Sequence, residues 1–115
     1  MKKVALFVFN GDPMCFIHVL LNGLDMSEKG NAVRIIVEGS ATKLVPEMVK
    51  PDHPLFALYQ KALEKELIVG ACKACSAKLG VRPAIEQTGL PLIGEMHGHP
   101  GMAQYLDAGF EIISF

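Results

Sequence analysis

The chain has no excess of charge of either sign: 11 basic and 12 acidic residues leave a formal net charge of −1 over 115 residues. A nucleic-acid-binding domain presents a basic face, so no nucleic-acid partner is expected. No apolar run approaches the ~20 residues of a membrane-crossing helix, so no membrane association is expected either. Cysteine is scarce and odd in number, with 3 in all. The apolar stretch after Met1-Lys2-Lys3 stops at Asn10-Gly11-Asp12-Pro13, too short for a secretory core and without a cleavage site. A disulfide framework is therefore not expected, and a reducing cytoplasm is the expected setting. No G-x-G-x-x-G follows the first apolar run, and there is no Walker A sequence and no G-x-S-x-G elbow. Dinucleotide binding, P-loop phosphoryl transfer and α/β-hydrolase chemistry thus lack their usual carriers.

What is present is hydrophobicity cut into short pieces. Half of the residues are hydrophobic (50%) and 20% are charged, which excludes intrinsic disorder and predicts a single domain over residues 1–115. Five runs read as strands: 3–10 (KVALFVFN), 32–38 (AVRIIVE), 67–71 (LIVGA), 90–95 (LPLIGE) and 110–115 (FEIISF). The first three are continuous and rich in Val, Ile and Phe, as in strands buried on both faces of a parallel sheet. Helical segments separate them. Asp12 and Pro13 read as N-cap and first residue of a helix over 14–26. That helix looks apolar nearly all round, which predicts a subunit contact as well as a core face. Ser40 can cap a short helix to about Met48. A helix restarts near Pro54 and runs to Glu64, and others are expected over 72–79 and 101–108. The alternation predicts parallel βαβ units with right-handed crossovers. The expected architecture is α/β: a five-stranded parallel sheet in order 2-1-3-4-5 with helices on both faces, a flavodoxin-like three-layer sandwich.

In such a sheet, ligands bind beyond the carboxyl ends of the strands, at the point where strand order reverses. Cys15 follows strand one, Cys72 and Cys75 follow strand three, and His97 and His99 follow strand four, so all share that edge. With order 2-1-3-4-5, Cys15 and Cys72 would flank the switch point. A thiol at a helix N-terminus gains from the positive end of the macrodipole, which predicts a lowered pKa for Cys72, with Lys73 and Lys78 adding to it. Cys72-Lys73-Ala74-Cys75 is a C-x-x-C that places both sulfurs on one helical face. Three readings stay open: one reactive cysteine with a partner, a dithiol redox pair, or a zinc site completed by His97 and His99. Glu38 and Glu95, at strand ends, are candidates for orienting a histidine. His53, in a proline-broken loop, is expected to face solvent.

The segments VALFVF, LIVGACKAC, KLGV and AQYLDAGFEIISF together resemble the DsrE/DsrF-like proteins, among them sulfur-relay subunits of sulfur oxidation and of tRNA 2-thiouridine synthesis. The resemblance covers essentially the whole chain. It implies a trimeric or hexameric oligomer and a cysteine that carries sulfane sulfur as a persulfide, exchanged with a sulfur donor or acceptor protein. Only Cys72 matches that cysteine. Cys75 and His97-Gly98-His99 lie outside the general relay pattern and keep the metal reading open.

Overall fold

The computed structural model describes residues 1–115. The five apolar runs form β1 (Lys3–Val8), β2 (Ala32–Val37), β3 (Ile68–Cys72), β4 (Leu92–Ile93) and β5 (Glu111–Ser114). Every pairing between them is parallel. In β1 all residues but the first are buried, because the side-chain period of 2 sends alternate residues to opposite faces. Val4, Leu6 and Val8 enter a large apolar cluster on one face, and Ala5 and Phe7 a small one on the other.

The strand order is β4-β3-β2-β1-β5, which corrects the expected order 2-1-3-4-5 and with it the flavodoxin-like arrangement. The reason is the side on which each crossover runs. Helix α1 (Pro13–Glu28), a 3-10 helix (Gly39–Leu44), α2 (Val45–Met48), α3 (Phe56–Glu64) and α5 (Arg82–Thr88) supply residues to the large cluster. Helix α4 (Lys73–Lys78) packs beside the 3-10 helix and α5. Successive right-handed crossovers on one face each step the sheet by a strand in the same direction. The chain therefore walks from β1 to β4 without turning back. Helix α6 (Ala103–Asp107) crosses the opposite face and returns the chain to the free edge of β1. Tyr105 of α6 meets Phe7 and Phe110 edge-on, at centroid distances of 5.6 and 5.9 Å. Helices thus lie on both faces, but unequally: five α-helices and the 3-10 helix on one and a single five-residue helix on the other.

The start of α1 forms as its sequence suggests. Asp12 Oδ1 accepts from the Met14 amide at 2.9 Å, with Pro13 in the first turn. The helix is one-sided rather than apolar all round. Phe16, Val19, Leu20, Gly23 and Leu24 make the buried stripe, while Met14, His18 and Leu21 are exposed. Other large apolar side chains left in solvent are Met1, Phe9, Leu79, Met96, Leu106 and Ile113. No helix is long and apolar enough to cross a membrane.

The contact between β3 and β4 is two residue pairs long, Ala71 with Leu92 and Cys72 with Ile93. Gly70 permits it. A Cβ at Gly70 would meet the Pro91 carbonyl oxygen at 2.6 Å and Ile93 Cδ1 at 2.8 Å. Gly70→Ala is expected to push β4 away and lower stability by about 1–3 kcal/mol, measured as a lower urea midpoint. An unchanged midpoint would mean that β4 is not held at this spacing.

Candidate metal centre

Parallel strands end at a common edge, so the residues that follow them are brought together by strand order. Phe9 follows β1, Glu38 follows β2, Cys72 closes β3, and the loop 94–102 follows β4. These strands are successive neighbours. The chain leaves β3 toward the large cluster and leaves β4 toward α6 on the opposite face. The switch point therefore lies between β3 and β4, not between strands one and three as expected. Cys15, in the first turn of α1 and half-buried, is separated from β3 by β2 and stands apart from the other two cysteines.

Cys72 is the N-cap of α4, and its Sγ accepts from the Cys75 amide at 3.3 Å. Ser76 Oγ donates to the Cys72 carbonyl oxygen at 2.6 Å, tying the strand end to the first helical turn. The Ala74 amide, which has no partner within its own helix, donates to the Gly98 carbonyl oxygen at 2.8 Å. This bond docks the loop after β4 onto the start of α4. Within the loop, Met96 and His99 exchange two backbone hydrogen bonds of 2.9 Å. The residues between them, His97 and Gly98, have φ of +50° and +90°, the signature of a type I′ turn. The turn separates the two histidines. His97 at its tip is exposed, and His99 at its foot is half-buried. His99 Nδ1 lies 3.1 Å from Cys72 Sγ and 3.7 Å from Cys75 Sγ.

The ligand atoms of Cys72, Cys75 and His99 all lie within 4.8 Å of one another, and the three can hold a metal ion. Of the four residues singled out in the sequence, the fold brings these three together and leaves His97 outside. Glu38 and Glu95 do not orient a histidine. Glu95 Oε1 instead accepts from the Gly101 amide and Gln104 Nε2, both at 2.7 Å. His53 is half-buried rather than solvent-facing, and its Nδ1 accepts from the Leu55 amide at 3.0 Å just before α3. Ser76 holds the site without having stood out in the sequence, and Gly98 holds it through its backbone carbonyl. The one trace of Ser76 was its place a helical turn after Cys72.

The electrostatics reverse the expected thiol chemistry. Cys72 has no exposed surface, and burial pushes its thiol up to about 12, helped by the hydrogen bond with Cys75 and by the charges of Cys75 and Glu38. The Cys75 amide pulls the other way, as the dipole argument requires, but desolvation outweighs it. Lys73 and Lys78 point to solvent and take no part. Glu38 is also buried, and its carboxyl is raised from 4.5 to about 7, first by burial and then by the charge of Glu95.

A raised carboxyl binds more protons in the folded chain than in the unfolded one between pH 4.5 and about 7. Its contribution is therefore favourable at acid pH and is lost as pH rises through about 7. Glu38→Gln removes the loss. The variant is expected to gain stability over the parent above neutrality, by at most about 3 kcal/mol, with the gain shrinking toward about pH 5. Urea melts across that range test it, and a difference independent of pH would refute it.

No family model matches the chain. The uncharacterized protein MJ0733 of Methanocaldococcus jannaschii is 32% identical over an alignment of 117 residues, covering 96% of this chain and 93% of that protein. An uncharacterized protein of Archaeoglobus fulgidus is 44% identical over 41 residues, which are 36% of this chain and 67% of that protein. Among solved structures, the conserved protein of unknown function BT1422 from Bacteroides thetaiotaomicron has a TM-score of 0.73, with 99% of this chain and 95% of that chain covered. At 21% identity that likeness is one of fold. The 32% identity along nearly the whole length of both proteins places the chain in the same family as the M. jannaschii protein.

Proposed function

We propose that the chain is a zinc-binding protein with Cys72, Cys75 and His99 as its ligands and a fourth position left to a small molecule. The observation that carries this reading is the convergence of two sulfurs and one imidazole nitrogen from separate segments within 4.8 Å. Zinc bonds of about 2.3 Å to sulfur and 2.0–2.1 Å to nitrogen put tetrahedral ligand atoms roughly 3.5–3.8 Å apart. The separations of 3.1 and 3.7 Å between His99 and the two sulfurs lie just below and within that spacing, inside ordinary side-chain adjustment. Charge supports a cation as well. The Cys72 thiol has the Cys75 thiol and the Glu38 carboxyl as acidic neighbours that disfavour its ionisation, and Glu95 does the same to Glu38. A divalent ion reverses that balance and deprotonates the thiols it binds.

A second reading follows the resemblance to the sulfur-relay proteins. Sulfane sulfur passes from a donor persulfide to an acceptor thiolate, leaving the donor as a thiolate. Burial of Cys72 favours Cys75, the half-exposed sulfur of the pair, as the acceptor, in place of the cysteine that the resemblance matches. The trimeric or hexameric assembly belongs with this reading. The exposed Phe9, Met96 and Leu106 are the apolar side chains that such an assembly would cover.

Zinc content of protein purified without chelator separates the two. The parent and His97→Ala are expected to hold equimolar zinc. Cys72→Ser, Cys75→Ser and His99→Ala are expected to lose it, and acidification releases it from the parent because the ligands must be deprotonated. Protein that takes up no zinc overturns the metal reading, as does a His97→Ala defect equal to that of His99→Ala. In zinc-free protein, a sulfur-atom mass gain on Cys75 after exposure to a persulfide donor then selects the relay.

A further inference from the structure

Beside the metal centre, on the α6 side of the sheet, lies a cavity of about 470 Å³ whose walls include Phe9, Glu38, Met96, His99 and Met102. Glu38 is 6% exposed. Its carboxyl makes no hydrogen bond and no ion pair within the protein, unlike that of Glu95 nearby, and its oxygens keep contact with solvent. A carboxylate largely withdrawn from water and without a partner in the protein gains from a ligand that supplies one. No lysine or arginine lines the cavity, and Glu95 adds further negative potential at Glu38. An anion entering here would meet like charge, whereas a cation would find the counter-charge that Glu38 lacks.

The rest of the wall states what the cation should carry. Phe9 is 39% exposed and Met96 50% exposed, so an aromatic ring and a thioether chain stand open at the cavity. An aromatic face attracts an ammonium, and methionine adapts to irregular apolar shapes. A bare divalent ion is a poor occupant, since hard cations take several oxygen ligands and this wall offers one carboxylate. The volume falls within the range of small-molecule sites.

We infer that this cavity binds a small organic monocation, a primary ammonium on an apolar body, with Glu38 as its counter-ion and Phe9, Met96 and Met102 around the body. The inference stands on Glu38 and the cavity, independently of the zinc reading, although His99 borders both sites. Binding transfers no atom and no electron: the ammonium pairs with the carboxylate, and the body covers apolar surface.

The test uses the full chain, isotopically labelled, titrated by NMR with three probes of one shape: benzylamine, benzyl alcohol and benzoate. Benzylamine is expected to give saturable shifts of the Phe9, Glu38, Met96 and Ala103 amides. Benzyl alcohol should bind at least about tenfold more weakly, as charge-assisted hydrogen bonds are stronger than neutral ones, and benzoate should not bind. Glu38→Gln, which relieves rather than strains the fold, should bring benzylamine down to the level of the alcohol. Equal binding of the three probes overturns the inference, as does an unchanged amine affinity in Glu38→Gln or the absence of saturable shifts. The titration is repeated with chelator. Retained amine binding in chelated protein supports Glu38 as the anchor whether or not the protein proves to hold zinc. Loss of amine binding on chelation transfers the ligand to the metal and overturns the inference.

Discussion

The hydrogen bond from the Ala74 amide to the Gly98 carbonyl, 2.8 Å long, is the contact on which the candidate site depends. It joins the first turn of α4, which carries both cysteines, to the turn after β4, which carries both histidines. The two segments have little else to align them, because β4 pairs with β3 over two residues only. Gly98 suits the position twice over. Its φ of +90° is strained for other residues, and a Cβ there would lie 3.1 Å from that of Ala74. The same turn sends His97 outward and keeps His99 against the sulfurs. A local backbone conformation therefore selects which imidazole joins the thiols.

Around that contact the sheet edge gathers acidic groups and buries them. Cys72 and Glu38 are both largely withdrawn from solvent, and the charge of Glu38 raises the proton affinity of Cys72. Ionising any one of them without a cation sets like charges side by side in a poorly solvated place. The fold accepts that unfavourable arrangement on the side where the sheet is least covered, under one short helix. Largely buried, perturbed titratable groups beside a cavity are the pattern that marks a binding or reacting site. Phe9 and Met96, open to solvent at the same place, extend the site from a cluster of donor atoms to a cavity with walls.

Much of the local structure was legible because it rests on neighbours in the chain. The Asp12-Pro13 start of α1, the buried strands β1 to β3, the final strand and the parallel pairing all follow from short apolar runs and capping residues. The sharing of one edge by Cys72, Cys75 and His99 was legible too, since it needs only that strands be parallel. Strand order was not. An alternation of strand and helix serves 2-1-3-4-5 and 4-3-2-1-5 equally. The choice turns on where α6 lies, and the edge-on packing of Tyr105 against Phe7, a residue far away in the chain, holds it on the face opposite the large cluster.

The sequence by itself determined the elements, the candidate ligands and the edge on which they meet, because each depends on residue type, spacing and strand direction. Only the tertiary structure decided that β3 and β4 form the switch point, that Cys15 and His97 stand apart, and that Glu38 is largely buried with no partner in the protein for its carboxyl. It also decided the sign of the shift at Cys72. A helix start lowers a thiol's pKa when water can reach it, but desolvation by the surrounding fold raises it here. How much water a side chain keeps depends on every element packed around it, which no local stretch of sequence records.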